Sequence, residues 1–223
     1  MSAYNVRLYK ESDLRSVQEI YTSGCCEHIS PAFYHALKQP RSWLFLLVGL
    51  LLPLATYGSI VLSVLGVIGA LLILWLPGRE FYQYCARNGV AKDLKDIRKY
   101  YLQREGYCFW VVESDGQVVG MVAAIPIITP HEKNKNLELK RMYISSQHRG
   151  KGIGKLLCRT VIDFARKSGC NAVVLSTTSI QATAIQLYLK MGFKCSDTDE
   201  YSALLGLIGI SWVGYRYNIS SSR

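Results

Sequence analysis

"LELKRMYISSQHRGKGIGK", residues 137–155, decides how this chain is read. Leu137 to Ser145 read as a β-strand. The second half sets Gly150, Gly152 and Gly154 among the cations Arg149, Lys151 and Lys155, then passes straight into a helical pattern. That helix is predicted over Ile153–Lys167, apolar at Leu156, Leu157, Val161, Ile162 and Phe164. Glycines let a backbone come close to a ligand, and successive N–H groups at a helix N-terminus converge on an anion such as a pyrophosphate. Spacing excludes two other loops. A dinucleotide G-x-G-x-x-G counted from Gly150 would need glycine where Lys155 stands, and a P-loop would need Ser or Thr where Leu156 stands. What remains is R-x-x-G-x-G, from Arg149 through Gly152 to Gly154.

Working outward, "YCFWVVES" and "QVVGMVAAIPI" read as two strands joined at Asp115-Gly116, a hairpin signal. The polar loop "TPHEKNKN" leads from them to the glycine-loop strand. Downstream, Ala172–Thr177 reads as a strand and "IQATAIQLYLKMGF" as a helix stopped by Gly192. Near the N-terminus, residues 3–9 alternate as a strand, and Ser12 or Asp13 caps a helix running towards Cys25. "VAKDLKDIRKYYLQ" has helical spacing through Val90, Leu94, Ile97 and Tyr101. An antiparallel hairpin followed by β–loop–α–β–α predicts a mixed sheet with helices packed on it. Tyr201 to Tyr215 is uncharged and predicts closing strands or an interfacial segment.

From Ser42 to Gly78 there is no Asp, Glu, Lys or Arg. As one helix the block would reach ~50 Å, against a bilayer core of ~30 Å. It therefore crosses once with part of its length or folds back, with Pro53 and Thr56 to Ser59 as bending points. Lys38 and Arg41 precede it and Arg79 and Arg87 follow it. Cations on both flanks favour a hairpin with both ends in the cytosol. Trp43 and Trp75 suit the headgroup belt. The expected division is residues 1–41, the hairpin 42–78, the main domain 79–219 and a disordered tail 220–223.

The chain has 223 residues and a formal net charge of +10, which favours anionic partners. No basic stripe interleaved with aromatics occurs, so nucleic acid is not an expected partner. Seven cysteines form no CxxC pair, which excludes a zinc ribbon and argues for a reducing compartment.

The glycine loop has a matching feature downstream: "AIQLYLKMGF" sets Tyr188 just before Gly192 and Phe193. With both motifs at this separation, the chain resembles the GNAT superfamily of N-acetyltransferases over residues 3–9 and about 107–195. The apolar block between first helix and second strand, with "CFWVVES" and "GMVAAIP", looks like the camello/N-acetyltransferase 8 family of membrane-bound enzymes. The resemblance implies a GNAT-type α/β (α+β) fold with a central splayed sheet and an inserted transmembrane hairpin. In that superfamily the first strand pairs with the second, which a single crossing would forbid. It also implies the endoplasmic reticulum membrane and acetyl-CoA as co-substrate, with no metal.

For the site, the resemblance implies backbone contacts to acetyl-CoA from Met142, Tyr143 and Ile144. It implies pyrophosphate contacts from Arg149, Gly150, Lys151, Gly152, Ile153, Gly154 and Lys155. Tyr188 maps onto the tyrosine that protonates the departing thiolate. Glu138 holds the place of a glutamate base, and its even spacing from Ile144 predicts a shared face. His131 and Glu132 are further candidates for the base. Gln181 stands where Asn is common. The leading expectation is acetylation of the α-amine of cysteine S-conjugates at a membrane surface. Lysine acetylation of membrane or secretory-pathway proteins is the alternative, with a catalytically silent acetyl-CoA-binding module as the non-enzymatic reading. Asn218-Ile219-Ser220 is the single N-glycosylation sequon, and a glycan there would put the domain in the lumen.

Overall fold

Asp115 and Gly116, with φ of 51° and 76°, make the tight turn that joins β2 (Cys108–Ser114) to β3 (Gln117–Ile127). Positive φ at both central residues matches the twist of antiparallel strands, as the Asp-Gly pair predicts. The molecule is described by a computed structural model covering residues 4–127, 136–196 and 203–219. His131, Glu132 and the 220–223 tail lie outside the described residues.

The remaining strands are β1 (Asn5–Leu8), β4 (Asn136–Ile144), β5 (Ala172–Thr178), β6 (Lys194–Ser196) and β7 (Trp212–Asn218). Their order in the sheet is β1-β2-β3-β4-β5-β7-β6. Among the described strands only β4 and β5 run parallel. β1 pairs with β2 from Asn5 opposite Glu113 to Leu8 opposite Trp110, so segments on either side of the apolar block share one sheet.

One sheet face packs against α5 (Ile153–Lys167) and α6 (Ala182–Lys190), burying Val122, Leu137, Leu157, Val161 and Phe193. The other face packs against α1 (Leu14–Cys26), burying Val17, Tyr21, Phe109 and Met121. α2 (Ile29–Lys38) and α7 (Ala203–Leu207) complete a third cluster, in which Ala32 and Ala36 meet Leu205 and Ile208.

The uncharged block forms two helices. α3 (Pro40–Tyr57) ends at Gly58, whose φ is 62°, and α4 (Ile60–Ala91) begins with Ser59 as its N-cap. The turn therefore falls inside the expected Thr56–Ser59 stretch, while Pro53 stays within α3. Both helices are long and apolar enough to cross a membrane, by length and composition. Hardly any of α3 is buried, and Trp43, Leu44, Leu51, Val61, Leu65 and Ile73 are among its and α4's exposed side chains.

α4 does not stop at Gly78. Its buried residues Ala70, Leu74, Gly78, Tyr82, Ala86 and Gly89 recur every three or four positions and carry it on into the domain. The helix expected over 90–103 is corrected accordingly: Val90 belongs to the end of α4, and Arg98–Leu102 form a wide π-type turn. Asp96 accounts for part of the break, because its carboxylate accepts the Lys99 N–H at 2.8 Å.

Candidate active site

β4 and β5 are hydrogen-bonded only at their starts, from Asn136 opposite Ala172 to Glu138 opposite Val174. Beyond that point β4 stays with β3, while β5 pairs with β7 from Leu175–Tyr215 to Thr178–Trp212. The two parallel strands therefore diverge, and the β5-facing edge of β4 from Leu139 to Ile144 has no strand partner. A cleft that exposes unpaired backbone in the middle of a sheet is a place for a ligand with hydrogen-bonding groups along its length.

The glycine loop closes one end of this cleft. After a short 3-10 turn at Ser146–His148, Gly150 and Gly152 take φ of 75° and 86°, and Gly152 is the N-cap of α5. Their positive φ favours glycine, and a side chain added at either would meet nothing within 4 Å. Gly154 is glycine for another reason: a Cβ there would lie 2.7 Å from Leu187 Cδ2, so the first turn of α5 can sit against α6. Among the described residues none of the backbone N–H groups from Gly150 to Lys155 has an acceptor. Unengaged donors in a glycine loop leading into a helix N-terminus suit a polyphosphate. Lys151 and Lys155 are exposed and pair with no carboxylate among the described residues. Arg149 is spoken for: its Nε donates to the Ile144 carbonyl at 3.1 Å and its guanidinium pairs with Glu27 at 2.6 Å. It braces the end of β4 against the end of α1.

Tyr188 lies in α6, buried beneath α5, with its ring against Phe193 and Tyr215. Burial raises its pKa above the ordinary tyrosine value, and the neighbouring Cys158 adds to the rise. Its hydroxyl has no hydrogen-bond partner among the described residues. Cys158 also approaches Met142, with Sγ 3.7 Å from Sδ. Met142, Ile144, Ile153 and Tyr188 thus meet in one cluster.

Glu138 does not share their face, which corrects the even-spacing expectation. Met121 pairs with Tyr143 but Ala123 pairs with Lys140, so Arg141 and Met142 together oppose Val122 in a bulge. The extra residue reverses the alternation. Leu137 and Leu139 before the bulge share the α5 side with Met142 and Ile144 after it. Glu138 opposes Ile125, which packs on the α1 side with Tyr143. Its carboxylate is half-buried and lies 3.2 Å from Lys140 Nζ.

Tyr143 points away from the α5 cluster. Its ring stands edge-on to Tyr21 at 5.1 Å, and its hydroxyl meets Cys25 Sγ at 3.3 Å. Gln181, at the N-cap of α6, donates from Nε2 to the Thr178 hydroxyl at 3.2 Å, and Thr178 also meets the Tyr82 hydroxyl. Its amide therefore braces the end of β5. Glu27, Asp93 and Arg141 hold the site together without having signalled themselves in the sequence: they lie in no motif, and each finds its partner far along the chain.

No disulfide bond and no cluster of metal-ligating side chains occurs among the described residues.

The profile of the Acetyltransferase (GNAT) family matches residues 74–193. N-acetyltransferase 8F1 of Mus musculus is 41% identical over 222 residues, covering 100% of both chains. N-acetyltransferase 8B of Homo sapiens is 36% identical over 223 residues, covering 100% of this chain and 98% of that one. Among solved structures, a GNAT-family acetyltransferase of Staphylococcus aureus Mu50 superposes with a TM-score of 0.60 at 17% identity, covering 98% of this chain and 100% of that one. The yncA protein of Salmonella typhimurium, solved with its cofactor acetyl-CoA, gives 0.53 at 18% identity, covering 98% and 95%.

Proposed function

The chain belongs to the GNAT family of acetyltransferases, an acetyl-CoA-dependent N-acetyltransferase by that membership, and we propose that it works from a membrane on the α-amine of cysteine S-conjugates. The observation that carries the cofactor side is the row of unengaged N–H groups, Gly150 to Lys155, at the end of the β4–β5 cleft and above the free phenol of Tyr188. Acetyl-CoA fits it: a pyrophosphate meets the amides, and an amide-bearing arm meets the open edge of β4. The membrane side is supported by α3 and α4, many of whose large apolar side chains are exposed among the described residues. An S-substituted cysteine with a greasy substituent partitions to a bilayer surface, which places its amine beside an anchored domain.

In this reading each residue does one job. Glu138 takes a proton from the acceptor ammonium, leaving a neutral amine able to attack. Backbone N–H groups between Met142 and Ile144 hold the acyl carbonyl and favour negative charge on its oxygen. Tyr188 passes its proton to the sulfur as the C–S bond breaks. The adduct nitrogen sheds its second proton to solvent, from which Tyr188 is reprotonated, and Glu138 releases its own proton to solvent after the turnover. Acetyl-CoA supplies the activated acyl group, as a thioester. Gln181 and Arg149 hold the two walls of the cleft. The domain is assigned to the cytosolic face of the endoplasmic reticulum, in keeping with seven cysteines among which no disulfide forms.

The test is thiol release from acetyl-CoA by membranes carrying the protein, with an S-alkyl cysteine, a lysine peptide and aspartate as acceptors. Turnover with the S-alkyl cysteine is expected, and Gly152→Glu, which puts a carboxylate where the phosphates bind, should abolish it. Turnover confined to the lysine peptide would move the assignment to protein acetylation. CoA binding with no turnover on any acceptor would count against all three amines.

A further inference from the structure

Arg141 sits in the β4 bulge with φ of 54°, a conformation that a branched or long side chain seldom takes. Its guanidinium is mostly buried and fully engaged. Nε and Nη2 donate to the two carboxylate oxygens of Asp93 at 2.9 and 2.6 Å. Nη1 donates to the Tyr21 hydroxyl at 2.5 Å, and the group also stands 4.8 Å from the Tyr21 ring centre. The Tyr101 hydroxyl donates to Asp93 from the other side. Burial alone would lower the Arg141 pKa, but the bond to Asp93 outweighs it and keeps the group charged.

The origin of these partners matters. Asp93 lies two residues past the end of α4 at Ala91, and Tyr21 of α1 donates its hydroxyl hydrogen to the Cys85 carbonyl of α4 at 2.9 Å. The bulge is therefore tied to the lower half of the helix whose upper half forms the apolar hairpin. A two-point ion pair fits one register only, and a slip of β4 by one residue would leave the nearly buried Asp93 carboxylate without its cation.

We propose that Arg141 is a positioning residue for acetyl-CoA: gripped by Asp93 and Tyr21, it fixes the β4 bulge and so the direction in which the backbone of Met142 to Ile144 meets the cofactor. The inference rests on the acetyl-CoA reading of the cleft and is independent of which amine is acetylated. It makes the root of the hairpin part of the cofactor site.

The test uses the full chain in lipid nanodiscs. Arg141→Gly accepts the left-handed backbone without strain and removes the side chain, guanidinium included. CoA affinity is read by calorimetry without acceptor, and the acetyl-CoA KM and kcat are read with the best acceptor. Each backbone hydrogen bond to the cofactor that is lost costs roughly two- to tenfold in affinity, so we expect Kd and KM to rise about tenfold and kcat at saturation to change by less than about threefold. Tyr21→Phe keeps the ring and removes two hydrogen bonds, the one from Arg141 Nη1 and the one to the Cys85 carbonyl, and should raise Kd about two- to threefold. Ile208→Ala, in the third cluster, is the reference for simple loss of stability and should leave Kd unchanged. An Arg141→Gly protein that binds CoA as tightly as the parent overturns the proposal. So does one whose losses only follow the folded fraction, as in Ile208→Ala. Should Arg141→Gly fail to fold, Tyr21→Phe decides, and an unchanged Kd there overturns the proposal equally. Absence of CoA binding by the parent protein would instead sink the acetyl-CoA reading itself.

Discussion

Tyr188, whose side chain is buried, holds its phenol proton more firmly than an exposed tyrosine does. For proton donation the protonated form is the active one. Activity is therefore retained below the group's pKa and lost above it, and burial moves that loss to the alkaline side of the ordinary value. No decline assignable to Tyr188 is expected up to about pH 9. Tyr188→Phe should lower kcat by about a hundredfold or more while changing the acetyl-CoA KM less than about twofold. Steady-state kinetics across this pH range check both statements. A variant with undiminished kcat would leave Tyr188 as a packing residue between Phe193 and Tyr215.

Between elements, the backbones of α3 and α4 come close in the hairpin at Gly49 and Gly66. A Cβ on Gly66 would lie 2.2 Å from the Gly49 carbonyl oxygen, and one on Gly49 would lie 2.7 Å from that of Gly66. Gly69, one turn further along α4, meets nothing within 4 Å. Gly66→Ile should therefore force the arms apart and cost about 1–3 kcal/mol, whereas Gly69→Ile should be close to neutral. Thermal unfolding of both variants in nanodiscs gives the comparison, and equal midpoints would mean that the arms do not come close there. The hairpin itself was legible in the sequence, because an uncharged run of that length has few alternatives. So were the Asp115-Gly116 turn and the glycine loop, whose signals are local. The continuation of α4 was hidden because the uncharged run stops at Gly78, after which charged residues resume. The helix runs on because the residues beyond Gly78 bury a face against α1 and α2. The bulge was hidden more completely: nothing marks Arg141 for a positive φ, since its conformation depends on Asp93 and Tyr21. That one residue reversed the face of Glu138. α2 and β6 passed unread because each is short and takes its shape from its neighbours.

Taken whole, the molecule is a sheet domain with both roots of an apolar hairpin in the same body: α2 leads into α3, and α4 returns to pack on α1 and α2. β1 and β2, which flank the hairpin in sequence, are hydrogen-bonded to each other, so the domain cannot be divided between two sides of a bilayer. Which side it occupies is testable with the protein's own chemistry. Cys195 in β6 is the one cysteine classed as exposed, and the others are at least partly covered. A membrane-impermeant maleimide added to sealed microsomes, cytosolic face outward, should label Cys195 without detergent, and Cys195→Ser should remove most of the signal. The reaction needs an accessible thiol, which Cys195 supplies. Labelling that appears only after detergent would put the domain in the lumen. A glycan on Asn218 should then accompany it, since that side chain is exposed at the end of β7. The two readouts constrain each other: external labelling together with glycosylation would require two populations of opposite orientation. Labelling without glycan is the outcome that a hairpin with cations on both flanks predicts, because neither end then has to be carried across.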